Sequence, residues 1–292
     1  ITRAVVLTTL TSAGFTAAQA ADVVISNGDI AATISDAGYF SASTSLGLSY
    51  QGKEFVNAGI FQSWNWLSAS GVSGAPFIAQ ESSTSNPLVT QASSSGESAA
   101  MVKSSSGDLG LSETISAVST NQLAVIVTLT NNTGHAIDHV QWGVGIDPDQ
   151  DSLQYGDART LNTITGVGAH AAVSASGRYS GYTLTLENTT VSPAFSAAAF
   201  INPANCCDAV NPADALTAAQ ALGFTDSNDS SVSLAYDLGT IDAGQTASFS
   251  YAYNMSVVDV PPVPEPEIYA VFMAGLGLMG FIARCRKQGQ VT

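Results

Sequence analysis

The sequence has 292 residues, of which 11% are charged, and its 8 Lys and Arg face 23 Asp and Glu for a formal net charge of −15. A chain this acidic has no basic patch for a phosphate backbone, which excludes nucleic acid as a partner. The length is sufficient to bury a core and is compatible with one large all-β domain.

The chain begins with an apolar segment. Arg3 precedes an uncharged run, and Ala18 and Ala20 supply the small residues that signal peptidase accepts before its cleavage site. This order predicts a secretory signal peptide over residues 1–20, with cleavage before Ala21. The alternative is a buried apolar helix at the start of a cytosolic domain. We therefore expect an exported protein that signal peptidase processes.

The region that follows is dominated by alternating sequences. Val, Ile, Leu, Phe, Tyr or Trp occupy every second position in several runs, and Gly, Asn, Asp and Ser separate these runs. Such a pattern is typical of half-buried strands joined by hairpin turns. We therefore predict an all-β fold, a large antiparallel two-sheet β-sandwich over residues 21–257. The clearest runs are 22–35, 122–133, 139–146, 181–191, 231–241 and 246–257.

Helical patterning is almost absent from this region. The one candidate is the segment 211–224, where Pro212 suits a first turn and Asp214 suits the positive end of a short helix. The opening sequence 25–60 and the closing sequence 236–257 resemble the ends of galactose-mutarotase-like domains, which are also called supersandwich domains. This resemblance implies the same fold class as the strand pattern.

Two tryptophans are candidates for a binding surface. Trp64 and Trp66 are two residues apart, so on a strand they share one face. Such a pair more often packs into a sandwich core. On an outer face it would instead form a platform on which sugar rings stack. The sequence leaves both interpretations open.

The sharpest polar cluster is the acidic loop "IDPDQDSLQYGD". Asp147, Asp149 and Asp151 have the one-three-five spacing with which loops wrap a hard cation, and Asp157 could close the cage. An EF-hand is not expected, because the required glycine and the final glutamate are both missing. The two interpretations are a looser Ca²⁺ site and a solvated turn stabilised by side-chain to backbone hydrogen bonds. We predict no other cofactor.

Two cysteines are neighbours in the sequence. Cys206 and Cys207 would lie outside the membrane after export, where oxidising conditions prevail. A vicinal disulfide in a turn is one interpretation. Two free thiols and an intermolecular bridge are the alternatives, and the sequence does not choose among them.

The end of the chain has the sequence features of a membrane-spanning segment. Residues 258–267 form a stiff Pro-rich spacer. The uncharged run 268–283 would span roughly 24 Å as a helix, so we predict a single transmembrane helix. The tail 284–292 should remain cytoplasmic, because basic residues stop translocation. These basic residues are Arg284, Arg286 and Lys287.

This tail resembles the PEP-CTERM sorting signal of exported proteins in Gram-negative bacteria that make exopolysaccharide and biofilm. The likeness rests on the triplet Pro264-Glu265-Pro266, the Tyr269-Ala270 opening of the apolar run, its centre at 274–278 and the basic end at 284–287. It implies that an exosortase, an integral-membrane cysteine transpeptidase, processes the protein near the triplet. Pro264, Glu265 and Pro266 would then be the recognition residues. The alternative is a permanent membrane anchor.

No recognisable catalytic pattern accompanies these features. The sequence has no Gly-x-Ser-x-Gly elbow, HExxH helix or P-loop. We therefore predict a non-enzymatic protein that passes through an inner-membrane intermediate to the cell surface or extracellular matrix. Its role would be structural or associated with exopolysaccharide. The alternatives are a polysaccharide-active enzyme on a β-sandwich and a permanently anchored, Ca²⁺-dependent adhesion module.

Overall fold

The computed structural model describes most of the region between residues 22 and 258. The gaps within it are 42–45, 57–62, 74, 81–89, 105–106, 191 and 193, and beyond it only Met273, Ala274, Leu276 and Met279 are described. In the part of the chain so described, no helix has both the length and the apolar character that crossing a membrane requires. The predicted positions outside this part are the cleavage residues Ala18, Ala20 and Ala21, the triplet Pro264-Glu265-Pro266, and Arg284, Arg286 and Lys287.

The described residues form three antiparallel sheets. The four-stranded sheet has the order β1-β2-β3-β4, with β1 Val23–Asn27, β2 Ile30–Ile34, β3 Leu48–Tyr50 and β4 Lys53–Glu54. The five-stranded sheet has the order β15-β17-β11-β5-β6, with β5 Ser63–Ser68, β6 Phe77–Gln80, β11 Ile137–Ile146, β15 Ser196–Asn202 and β17 Ser231–Ile241.

The third sheet is the largest, with nine strands in the order β16-β12-β13-β14-β18-β10-β9-β8-β7. Its strands are β7 Thr90–Ser94, β8 Ala99–Ser104, β9 Leu109–Ser119, β10 Gln122–Asn131, β12 Thr160–Gly166, β13 Ala172–Gly177, β14 Tyr182–Asn188, β16 Thr225–Asp226 and β18 Thr246–Val257. Each of the six alternating runs noted in the sequence covers all or most of one or two strands of these sheets, as predicted.

The sheets enclose one hydrophobic core. On β9, buried and partly exposed residues alternate, because one face packs inward and the other meets solvent. Across the layers, the rings of Trp142 on β11 and Tyr236 on β17 lie 6.1 Å and 4.5 Å from the ring of Phe249 on β18. The predicted all-β fold is confirmed. The number of sheets is corrected from two to three, because β1 to β4 form a separate sheet that contacts β7, β8 and β9.

The helices described between residues 22 and 258 are short. They are α1 Ser152–Tyr155, α2 Pro212–Thr217 and a 3₁₀ turn at Gly168–His170. At the start of α2 the Asn211 side chain accepts a hydrogen bond from the backbone of Ala213. The helix ends before the predicted limit at 224. Beyond it, Gln220 donates to the backbone carbonyl of Ile201 and accepts from its amide, which covers the edge of β15.

Strand register brings three chain segments to one end of the five-stranded sheet. Ile146, the last residue of β11, lies opposite Val232 near the start of β17. Val232 in turn lies opposite Ile201 near the end of β15. The loops that leave β11 and β15 and the loop that enters β17 therefore meet at this end.

Candidate functional site

Three aspartates converge where these loops meet. Asp147 and Asp149 directly follow β11, and Asp229 precedes β17. One carboxylate oxygen from each of the three lies within 4.8 Å of the other two. We refer to Asp147, Asp149 and Asp229 as the triple-aspartate cluster.

The cluster is buried at its base. Asp147 is 3% exposed and Asp149 is 2% exposed, whereas Asp229 is the more accessible member. The Oδ1 atom of each aspartate has no hydrogen-bond partner among the described residues. Burial of a carboxylate oxygen without a hydrogen-bond donor costs free energy, so a bound proton or cation would stabilise these oxygens.

The carboxylates of the cluster repel one another when they are ionised. Burial, followed by the neighbouring charges of Asp149 and Asp229, raises the pKa of Asp147 to about 9. Burial, then Asp229 and Glu54, raises the pKa of Asp149 to about 7. The pKa of Asp229 is raised as well, mainly by burial and then by the charge of Asp157. The site is therefore electronegative and favours a positive ligand.

A disulfide adjoins the cluster. Cys206 and Cys207 are joined by a disulfide in the loop that leaves β15. The Cys207 sulfur lies 3.7 Å from Oδ2 of Asp147. A disulfide sulfur carries no proton, so this is a packing contact and leaves the carboxylate without a donor. The Cys207 amide donates to the Asn205 side chain, which holds the turn in place.

The other two aspartates predicted as ligands have different partners. Asp151 is fully buried and accepts hydrogen bonds from the amides of Tyr179 and Ser180, so it holds the β13–β14 turn. Asp157 accepts two hydrogen bonds from the Arg159 side chain, at 2.7 Å and 2.9 Å, and one from the Arg159 amide at 3.1 Å. Of the predicted set, the structure brings Asp147 and Asp149 together and places Asp229 beside them. Asp151 and Asp157 lie with other partners.

Sequence reasoning missed Asp229 because nothing near it marks a ligand. It lies in a polar turn just before a predicted strand, about eighty residues from Asp147. Only the pairing of β11 with β17 places the two side by side. The one sequence feature that could have indicated Asp229 is its position just before a strand. This position becomes informative only when the strand that pairs with β17 is known.

The tryptophan pair is covered. Trp64 is 1% exposed and lies opposite Gly145, where a Cβ atom would overlap its indole ring. Trp66 is partly buried opposite Gly143. Helix α2 packs against both β5 and β11 on this side. These contacts favour the core interpretation of the pair over the open sugar platform, because Trp64 is buried and α2 packs on the same side.

A different aromatic surface lies beside the triple-aspartate cluster. Tyr155 and Tyr179 are 46% and 41% exposed, and their ring centroids lie 5.2 Å apart. The Lys53 ammonium lies 5.8 Å from the Tyr155 ring. Arg178 precedes Tyr179, and Arg159 and Arg178 lie 2.7 Å and 3.7 Å from Asp157. We call Lys53, Tyr155, Arg159, Arg178 and Tyr179 the tyrosine–cation surface.

This surface holds most of the positive charge of the domain. Between residues 21 and 257 the chain has four Lys and Arg, and three of them are Lys53, Arg159 and Arg178. The fourth, Lys103, is exposed on β8. Arg159 donates to Asp157 and lowers the pKa of that carboxyl, its hydrogen bond being the largest cause. Lys53 donates to the Gln154 side chain at 2.6 Å.

Comparison with protein families gives one match. Residues 262–287 match the PEP-CTERM protein-sorting motif, as the sequence resemblance predicted. The motif implies export and sorting to the cell surface by an exosortase-type enzyme. No curated protein sequence matches the chain.

Solved structures give weaker likenesses. A protein from Escherichia coli K12 that is named as an aldose 1-epimerase has a TM-score of 0.46 and 10% identity, over 82% of this chain and 99% of its own. A mutant of the heparan sulfate lyase HepC from Pedobacter heparinus has a TM-score of 0.45 and 10% identity, over 80% of this chain and 34% of its own. A protein from the human microbiome that is named as a kojibiose phosphorylase has a TM-score of 0.39 and 11% identity, over 88% of this chain and 32% of its own. The present chain thus spans about a third of the latter two.

These likenesses bear on two predictions. Structures of the aldose 1-epimerase or galactose mutarotase kind are among those the chain resembles, in line with the predicted resemblance. The prediction that the protein is not an enzyme is contradicted, because the named chains are enzymes. At these TM-scores and identities, none of their activities is carried over to this chain.

Proposed function

We propose that this protein is an exported exosortase substrate that is held at the cell surface, where its β-domain associates with acidic polysaccharide. The observation that carries the sorting part is the PEP-CTERM motif at residues 262–287. The tyrosine–cation surface supports the second part, because it combines exposed aromatic rings with clustered positive charge.

The tail supplies the parts that sorting needs. Signal peptidase would release the chain before Ala21, and the apolar run 268–283 would hold it in the inner membrane. The basic end at 284–287 would stay on the cytoplasmic side. The triplet at 264–266 would then face the sorting enzyme at the outer surface of that membrane, with 258–263 as a spacer to the β-domain.

The tyrosine–cation surface suits a sugar that carries a carboxylate. Tyrosine rings present flat apolar faces that can stack on a pyranose ring, and their hydroxyl groups remain in water. Arg159 and Arg178 provide planar groups that match a carboxylate in geometry and charge. With only four cations between residues 21 and 257, a cluster of three provides a local site on an otherwise acidic domain.

Intact mass spectrometry tests the sorting part. Mature protein from cells with and without the exosortase-type enzyme should differ, with a species from Ala21 to about 264–267 only when the enzyme is present. Pro264→Ala should block this processing. Pro261→Ala changes a spacer proline outside the matched motif and should not. A species that starts at Ala21 and retains Lys287 in both strains would contradict exosortase processing and indicate a permanent anchor.

Affinity electrophoresis tests the polysaccharide part. Alginate in the gel should retard the protein at low salt, and dextran, a neutral polysaccharide, should not. Tyr179→Ala should weaken the alginate affinity roughly two- to tenfold through loss of one stacked ring, and Arg178→Ala should also weaken it. Lys103→Ala removes the one cation outside the surface and should have no effect. New reducing ends in the same mixtures would show whether alginate is also cleaved.

Equal retardation by alginate and dextran would contradict the role of the cations. Equal effects of Arg178→Ala and Lys103→Ala would show that net charge, and not this surface, determines binding. Phe224→Ala provides a matched control for the tyrosine variants, because Phe224 is 38% exposed on another loop.

A further inference from the structure

We propose that the triple-aspartate cluster is a Ca²⁺ site, with Asp147, Asp149 and Asp229 as its carboxylate ligands. The site is distinct from the tyrosine–cation surface and does not require polysaccharide binding.

The separations fit a shared ion. Protein oxygens bind Ca²⁺ at about 2.3–2.6 Å, so two ligands on opposite sides of one ion are at most about 5 Å apart. One carboxylate oxygen from each of the three aspartates lies within 4.8 Å of the other two. The cluster is therefore compact enough for one ion to lie among its three carboxylates.

The unpaired oxygens provide an independent argument. Asp147 and Asp149 are both more than nine-tenths buried, and the Oδ1 atom of each lacks a hydrogen-bond partner among the described residues. In contrast, the equally buried Asp151 in the same loop has its carboxylate satisfied by two backbone amides. The loop can thus satisfy a buried carboxylate when its role is structural, and it leaves those of the cluster open.

No protein cation neutralises the cluster within the described region. Arg159 and Arg178 are directed to Asp157, and the Lys53 ammonium binds Gln154. Lys103 lies on β8, in the other layer of the sandwich. A bound cation would supply the missing positive charge and the missing partners at once.

The ligand atoms favour Ca²⁺ over other metals. All three ligands are carboxylates, which hard cations prefer, and the adjacent Cys206 and Cys207 are joined in a disulfide and offer no thiolate for Zn²⁺. Mg²⁺ requires near-ideal octahedral geometry, whereas Ca²⁺ accepts irregular sets of six to eight oxygens. Water can complete the shell on the accessible side, at Asp229.

Binding would join segments that are distant in the chain. The ion would connect the loop after β11 to the loop before β17, beside the disulfide turn after β15. Tyr155 and Asp157 belong to the same loop as Asp147 and Asp149. Ca²⁺ would therefore order the loop that carries Tyr155 and Arg159, two of the five residues of the tyrosine–cation surface.

Isothermal titration calorimetry on the exported protein, after removal of metal with EDTA, tests the proposal. CaCl₂ should bind at one site with a dissociation constant in the range of roughly 10⁻⁴ to 10⁻³ M that is usual for extracellular modules. Asp229→Asn should weaken the affinity about tenfold or more, because it removes one of three anionic ligands. Asp242→Asn makes the same chemical change in an exposed turn at the opposite end of β17 and should leave the affinity unchanged.

Asp229 is the preferred position for this variant because it is the accessible member, so its replacement should leave the fold intact, as far-UV circular dichroism can verify. Asp147→Asn provides a second variant at a buried ligand, with thermal unfolding as its readout. Ca²⁺ should raise the melting temperature of the wild type and not that of Asp147→Asn. No heat from CaCl₂ at millimolar concentration, equal affinity in Asp229→Asn, or tighter binding of MgCl₂ would overturn the proposal.

Discussion

Glu113 provides the most direct test of how this core is built. It lies on β9, is 1% exposed, and accepts hydrogen bonds from the Tyr251 hydroxyl at 3.0 Å and from the Asn65 amide at 3.2 Å. Burial raises the pKa of Glu113 to about 8 from its ordinary value of 4.5, and the Tyr251 hydrogen bond opposes only part of this rise. The folded protein therefore holds a proton on Glu113 that the unfolded chain has lost at neutral pH.

The sign of the pH dependence follows from proton binding. Between pH 4.5 and about 8 the folded state binds more protons at Glu113 than the unfolded state, so the free energy of unfolding decreases as pH rises. With these two pKa values, the loss between pH 5 and pH 8 amounts to roughly 3 kcal/mol. This is a large part of the total stability of an ordinary domain.

Urea unfolding at a series of pH values measures this effect. Glu113→Gln stays neutral at every pH and keeps an oxygen that can accept from Tyr251. We therefore expect it to equal the wild type at pH 5 within about 1 kcal/mol and to exceed it by roughly 3 kcal/mol at pH 8. The buried aspartates contribute to both proteins alike, so the difference between the two pH profiles isolates Glu113.

Glu97→Gln is the matched control, because Glu97 is exposed in the β7–β8 turn. Its pH profile should be parallel to that of the wild type. Parallel profiles for Glu113→Gln and the wild type would refute the reasoning, since they would mean that Glu113 is ionised in the folded protein.

Three further predictions concern single contacts. Gly145→Ala should destabilise the protein by about 1–3 kcal/mol in urea unfolding, because its Cβ would overlap the buried Trp64 ring. Asp151→Ala should cost about 1–3 kcal/mol in the same assay, because the Tyr179 and Ser180 amides lose their acceptor. Arg159→Ala should raise the pKa of Asp157 in a carbon-13 NMR titration, because the Arg159 hydrogen bond is the main cause of its low value.

Each of these predictions has a matched control. Gly143→Ala adds a Cβ at ordinary contact distance from Pro212 and should cost less than Gly145→Ala. Asp151→Asn keeps one acceptor oxygen and should cost less than Asp151→Ala. Arg178→Ala should change the Asp157 pKa less than Arg159→Ala, because Arg178 lies 3.7 Å away. A reversed order in any pair would contradict the corresponding contact.

The strands could be predicted from the sequence because alternation is a local property. Each of the long runs, such as 122–133 and 246–257, contains in itself the pattern that decides which face is buried. The sorting motif was equally accessible, since its triplet, apolar run and basic end are contiguous and are read in order. The start of α2 was marked by Pro212 and Asp214, whereas the contact of Gln220 with the edge of β15, beyond the end of the helix, was not.

The candidate metal site was only half predictable. Asp147 and Asp149 belong to one acidic loop, so their spacing suggested a cation, but the same spacing included Asp151. Backbone amides from the β13–β14 turn satisfy Asp151, and those amides come from a part of the chain that the loop pattern does not contain. The tyrosine–cation surface was missed for the same reason, because Lys53, Tyr155 and Tyr179 come from strand β4, helix α1 and the β13–β14 turn.

The sequence by itself determined the all-β class, the strands of the six alternating runs and the sorting tail, since each depends on residues that are neighbours in the chain. The tertiary structure alone decided that Asp229 joins Asp147 and Asp149, and that α2 covers Trp64. Both outcomes depend on which strands pair and which segment packs over them. Strand pairing is determined by the burial of whole sheet faces in the core. Many residues that are distant in the chain contribute to this burial, so the spacing within one segment does not reveal it.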